Sequence, residues 1–207
     1  MEEKLFHNEY YWTSPYNYID EVRAKFQLPE KIKFHDVTLR DGEQSPGVAF
    51  RAEDKVAIAK LLDELGVDRI EVALPAVSQE DLKATKNIVA LGLNAKIFVL
   101  SRGIASDVEA ALDCGVDGII LELPVGIPRL KYQFPTWTED DVVNKAIQWA
   151  KFAKSNGLEV VLFPMDCTRS NPEFFARFLR EAGALPEVDG VCLVDTSGSL
   201  TPQAVVW

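Results

Sequence analysis

Thr38 to Lys55, TLRDGEQSPGVAFRAEDK, is the stretch whose reading decides the fold. Arg40, Asp41, Glu43 and Gln44 fall in a five-residue window at the end of an apolar run. Gly42, Pro46 and Gly47 then turn the chain before a helical pattern begins. A buried strand charged only at its carboxyl end, followed by a turn and a helix, is how an α/β protein presents chemistry. From these residues alone, a polar strand-to-helix loop with a salt-bridged arginine is the competing reading.

Outward from this stretch one plan repeats: a short apolar run, a loop, then a helical pattern. The runs are Ile32–Leu39, Arg69–Leu74, Lys96–Ser101, Gly118–Leu123, Glu159–Met165 and Gly190–Asp195. They are near-continuously apolar, as strands covered on both faces should be. Gly66-Val67-Asp68, Gly115-Val116-Asp117 and Val188-Asp189-Gly190 echo one another where helix passes into strand. Ser78 with Asp81, Ser106 with Glu109 and Thr138 with Asp141 have N-cap spacing, and Asn171-Pro172 and Thr201-Pro202 place a cap before a proline. Gly92, Gly115 and Gly157 sit where helices should end. The spacing predicts parallel βα units. Six strands are about six of the eight units of a (β/α)8 barrel, so the expected fold is α/β, an incomplete TIM barrel over residues 31–207. Residues 1–30 form an aromatic arm with Phe6, Tyr10, Tyr11, Trp12, Tyr16 and Tyr18 and a short helix around Tyr18 to Phe26. Such an arm is expected to pack on the barrel or on a partner subunit of a homo-oligomer.

A net charge of −10 gives no basic stripe for nucleic acid or an anionic membrane surface, and no apolar run reaches the length of a membrane span. The acidic, aromatic amino terminus does not read as a signal peptide. Cys114, Cys167 and Cys192 are odd in number and lack metal-like spacing, which fits free thiols in a cytoplasmic protein.

Leu39-Arg40-Asp41-Gly42-Glu43-Gln44, followed after ten residues by Lys55, resembles the first signature of the 2-isopropylmalate synthase and homocitrate synthase family. That family belongs to the pyruvate carboxyltransferase-like DRE-TIM metallolyases, which are built on (β/α)8 barrels. The resemblance implies that Arg40 binds keto-acid oxygens, that Asp41 binds a divalent metal (Mg, Mn or Zn), and that Gln44 lines the substrate pocket. It also implies an Arg40–Glu71 pair. A fork-shaped guanidinium suits a carboxylate, and a hard cation suits carboxylate oxygen. Leu100-Ser101-Arg102 and Asp195-Thr196-Ser197-Gly198 are similar to further family segments, making Thr196 a ligand for the keto-acid carboxylate; Asp166 and Arg169 keep part of a fifth-strand motif, which implies Arg169 as a further substrate-binding residue. The implied activity is acyl transfer, in which acetyl-CoA is condensed with a 2-oxo acid. The alternatives are a lyase or carboxyltransferase of the same superfamily and a non-catalytic partial barrel that binds a partner.

Three departures matter. Phe163 and Met165 stand where the synthases show a serine and a catalytic glutamate, so the general base has no obvious candidate. Leu121-Glu122-Leu123-Pro124 replaces a histidine and a later Thr-Ser pair. His7 and His35 do not form the His-x-His of the second signature, so the chain alone is expected to be inactive. Period-two alternation puts Asp36, Thr38 and Arg40 toward the barrel axis and His35 outward, and Glu43 is expected to be solvated.

Overall fold

The computed structural model describes residues 6–25 and 29–206. The chain divides into two units, 1–33 and 34–207. In the second, six strands form one parallel sheet: β1 (His35–Asp36), β2 (Arg69–Glu71), β3 (Lys96–Ser101), β4 (Gly118–Pro124), β5 (Glu159–Met165) and β6 (Gly190–Val191). Each strand pairs with its sequence neighbours, in the order β1-β2-β3-β4-β5-β6. That is the order of a barrel wall, and every crossover carries a helix.

The sheet is curled. Arg69 on β2 reaches Glu159 on β5 at 2.9 Å, and Lys96 on β3 meets the same carboxylate. Three strand spacings are about 14 Å in a flat sheet, so the wall must bend to bring β2 and β5 within side-chain reach. On the concave face Phe98, Leu100, Ile120 and Val161 pack together, with Leu74, Phe163 and Cys192 against them. Gly118 makes room there, since a Cβ on it would lie 2.4 Å from the Phe98 ring. On the convex face Ile70, Val72, Ile97, Val99, Ile119, Leu121, Val160 and Leu162 join the main core with the helices. Strands covered on both faces are therefore observed as read, forming an incomplete barrel.

The covering helices are α2 (Ala52–Leu65), α3 (Gln79–Val89), α4 (Ala105–Cys114), α5 (Glu139–Ser155), α6 (Pro172–Phe178) and α7 (Pro202–Val206); α1 (Asp20–Arg23) belongs to the arm. Val142, Ala146, Ala150 and Ala153 make a helical stripe on α5 whose small side chains let it lie close to the sheet. Thr138 and Asp141 form a reciprocal capping box, and Ser78 and Asn171 accept from the first turns of α3 and α6. Ser106 is a correction. It lies inside α4, whose first turn is fixed instead by Asp107, the acceptor for Arg102 N at 2.9 Å.

The outer strands are shorter than their apolar runs. β1 covers two residues of Ile32–Leu39 because the Asp36 carboxylate accepts from Thr38 N and Oγ1 and ends the strand as a turn. β2 stops at Glu71, although Val72 N still donates to Phe98 O. Beyond β6, Val194 N turns from the ladder to Cys167 Sγ.

Within the arm, Thr13 N donates to Phe6 O at 2.7 Å, and the His7 and Trp12 rings lie 4.2 Å apart. The helix expected around Tyr18 to Phe26 is the four-residue α1; Phe26 lies outside the described residues. Tyr10, Trp12 and Tyr16 are exposed.

Candidate functional site

After Asp36 the chain does not stay extended, and this decides where the signature side chains point. Val37 O accepts from the backbone N–H of Arg40, Asp41 and Gly42, and a 3-10 turn over Gly42–Gln44 follows. Leu39 is driven wholly into the outer core. The turn carries Arg40 to the concave side, where its Nε donates to Glu71 Oε1 at 2.5 Å and its Nη1 to Asp41 Oδ1 at 2.6 Å. The Arg40–Glu71 pair is thus present. His35 was expected to point outward, but its Nε2 lies 3.3 Å from Glu71 Oε2 and its ring meets Phe98 edge-on. Thr38, expected to face the axis, is exposed, and Asp36 caps the turn. Alternation failed because a strand of two residues cannot propagate it through a turn. Burial alone would raise the Glu71 pKa, but hydrogen bonds from His35 and Arg40 outweigh it and hold the carboxyl below the usual glutamate range.

Glu43 is not solvated. Its Oε1 accepts from Phe50 N at 2.8 Å and its Oε2 lies 2.7 Å from Lys55 Nζ. Lys55 is almost fully buried and also binds Asp81 Oδ1 at 2.7 Å. One buried ammonium thus ties the signature turn to α2 and α3, which explains a lysine at that spacing. The turn roofs a cavity of about 190 Å³ lined by Arg40, Glu43, Gln44, Lys55 and Asp81 and by Ala73, Leu74, Val77 and Leu100. Drug-sized ligand sites hold roughly 300–1,000 Å³, so this one suits a compact acid. Asp41 stands exposed at its side.

Arg169 and Thr196 meet elsewhere, around Asp166. The Arg169 fork engages both Asp166 oxygens at 2.8 Å, and Thr196 Oγ1 accepts from Asp166 N at 3.0 Å. Asp166 is fully buried and holds a left-handed φ of 62°. Gly126 is required beside it, because a Cβ there would fall 2.5 Å from Asp166 Oδ2. Next to this group Thr168 and the turn after β6 donate to Asp195, whose carboxyl is lowered to about 2. Among the described residues no hydrogen bond joins this network to that of Arg40.

Sequence reasoning missed His35 at the Glu71 carboxylate and Arg129 beyond β4. An aromatic-flanked histidine gave no directional signal, and Arg129 lies on a π-helical turn that no motif marks. The donor set fits a divalent metal only in part. Asp41 offers one carboxylate, and among the described residues no group of three or more His, Cys, Asp or Glu side chains could hold a metal ion. A bound divalent ion would need donors from outside these residues.

The HMGL-like family profile matches residues 31–206. Homocitrate synthase AksA of Methanothermobacter thermautotrophicus is 37% identical over 198 residues, 94% of this chain and 48% of that protein. (R)-citramalate synthase CimA of Methanocaldococcus jannaschii is 42% identical over 172 residues, 83% and 35% respectively. The chain spans about half or less of the length of these curated relatives. Among solved structures, HMG-CoA lyase from Brucella melitensis superposes with a TM-score of 0.70 at 22% identity, over 86% of this chain and 65% of that one, a likeness of fold. With its signature turn, curled parallel wall and profile match in agreement, the chain belongs to the HMGL-like family.

Proposed function

We propose that the protein carrying this chain is an acyltransferase that condenses the acetyl group of acetyl-CoA with a 2-oxo acid. The observation that carries the reading is Arg40, gripped by buried Glu71 at a small cavity beside an exposed Asp41. Arg40 has an Nη2 edge that makes no hydrogen bond among the described residues, a donor for the carboxylate or keto oxygen of the substrate. Glu71, itself held by His35, and Asp41 hold that guanidinium, so orientation is set before substrate arrives. Gln44 lines the wall, and its amide offers both a donor and an acceptor. Asp41 would be the first donor for a divalent metal, which would supply Lewis-acid polarisation of the keto group. Thr196 and Arg169 frame the far rim of the same barrel mouth. Relatives named homocitrate, (R)-citramalate and 2-isopropylmalate synthase support this reaction class. Residues 1–30 act as an arm and 31–207 as the catalytic barrel of a cytoplasmic, self-associating enzyme. Free Cys114, Cys167 and Cys192 fit a reducing compartment.

The test is release of free CoA thiol by the protein purified from its source, given acetyl-CoA, Mg²⁺ or Mn²⁺ and a panel of 2-oxo acids. Thiol release with one of the acids, abolished by Arg40→Lys, is expected. Absence of release with every acid would favour a second reading, a non-catalytic partial barrel, for which the single carboxylate donor speaks.

A further inference from the structure

The geometry points to Glu122 as the residue that takes a proton from the acetyl methyl group, an assignment that rests on the function proposed above. Alternation along β4 is unambiguous: Ile119, Leu121 and Leu123 lie in the outer core, and Ile120 lies in the concave cluster. Glu122 follows Ile120 by two residues and so faces the barrel interior, opposite Phe163 of β5 in register. Ser101 pairs with Leu121, so Arg102 follows β3 at the level of Glu122. Gly103 closes this approach, a Cβ on it falling 3.5 Å from Glu122 O.

The three acids that are buried outright among the described residues are matched. Glu71 has Arg40 and His35, Asp107 has the Arg102 fork, and Asp166 has the Arg169 fork. Glu122 accepts no hydrogen bond among the described residues, although the positive charges of Arg40, Arg129 and Arg102 and the like charge of Glu71 act on its carboxyl. Arg129 Nε is buried and has no partner either. An unmatched acceptor and an unmatched donor at one strand end are arranged for a group that both would touch. Burial pushes the Glu122 carboxyl above the ordinary glutamate range against the pull of those arginines, which makes it a stronger base than a solvated glutamate. On β5 the inward positions Phe163 and Met165 carry no proton-accepting group, so the function moves one strand over.

In the step itself the Glu122 carboxylate takes a proton from the methyl carbon of the thioester. The C–H electron pair becomes the enolate double bond, and the carbonyl pair moves to oxygen, where the unused Arg129 N–H can receive it. The enolate carbon then bonds to the keto carbon. The enolate oxygen's pair re-forms the thioester carbonyl, and the keto oxygen becomes an alkoxide and takes one proton back from Glu122. Water then cleaves the thioester C–S bond, giving the carboxylate and the free CoA thiol.

The test uses the protein purified from its source and its Glu122→Gln and Glu122→Asp variants, in D₂O with acetyl-CoA, Mg²⁺ and the 2-oxo acid that releases CoA. Glu122→Gln is expected to lower methyl deuterium exchange and CoA release at least 100-fold while calorimetric binding of the 2-oxo acid changes less than twofold. Glu122→Asp should recover part of the exchange, with the acidic limb of its pH–rate profile displaced. Exchange in Glu122→Gln within threefold of wild type would overturn the assignment and leave the condensation reading standing. Absence of exchange and CoA release in wild type would overturn both. A reading independent of activity is ¹³C NMR of the carboxyl signal missing in Glu122→Gln, which should titrate above ordinary glutamate; titration at or below it would overturn the assignment.

Discussion

Two arginines, Arg40 and Arg169, each sit beside an aspartate at the carboxyl end of a strand, and the structure uses them in opposite ways. Arg169 gives both its Nε and its Nη2 to one partner, Asp166, its near neighbour in sequence, and so holds a left-handed residue in place. Arg40 divides its donors between Glu71 on the next strand and Asp41, and it keeps one edge at a cavity. A closed pair built from local sequence stabilises a turn. A pair reached across strands at the wall of a cavity prepares a binding surface.

Substitution breaks or sharpens this contrast. Arg40→Ala strands Glu71, which is 2% exposed, and removing one partner of a buried pair should cost about 3 kcal/mol in urea unfolding. Lys55→Met leaves Glu43 and Asp81 facing each other without their cation and should cost about 2 kcal/mol by the same measurement. Arg169→Ala also strands a buried acid, Asp166, but Arg169 is 39% exposed and water takes its place, so this loss should be the smallest of the three. Equal losses for Arg40 and Arg169 would erase the distinction.

Acid titration gives the smallest effects. The Glu71 carboxyl is held below its ordinary value. Its contribution is therefore present above the unfolded glutamate pKa of about 4.3 and is lost as pH falls through the folded value. Asp195, lowered to about 2, acts likewise between the unfolded aspartate value of about 3.9 and pH 2. Asp195→Asn should flatten stability against pH in that window and leave the slope above pH 5 unchanged. Glu122 has the opposite sign: burial raises its pKa, so protonation as pH falls favours the fold.

Much of this was legible in the sequence. The long runs of β3, β4 and β5 were read to within a residue because both faces are apolar and glycine or proline bounds them. The Arg40–Glu71 pair was legible because a carboxylate in an apolar strand needs a cation. The orientation of His35 was not, since it depends on Asp36 ending β1 with its own side chain. Nor was Ser106, where Asp107 could win the competition for Arg102 only once the loop after β3 had folded back. The meeting of Arg169 with Thr196 joins residues of two strand ends through the Asp166 backbone, and no local pattern carries that information.

The central claim is that Arg40, and not Arg169, holds the 2-oxo acid. Calorimetric titration of that acid into the wild-type protein, Arg40→Lys and Arg169→Lys, all three retaining positive charge, tests it most directly. At least a tenfold loss of affinity in Arg40→Lys, with less than a threefold change in Arg169→Lys, is the predicted result. Undiminished binding in Arg40→Lys would contradict it.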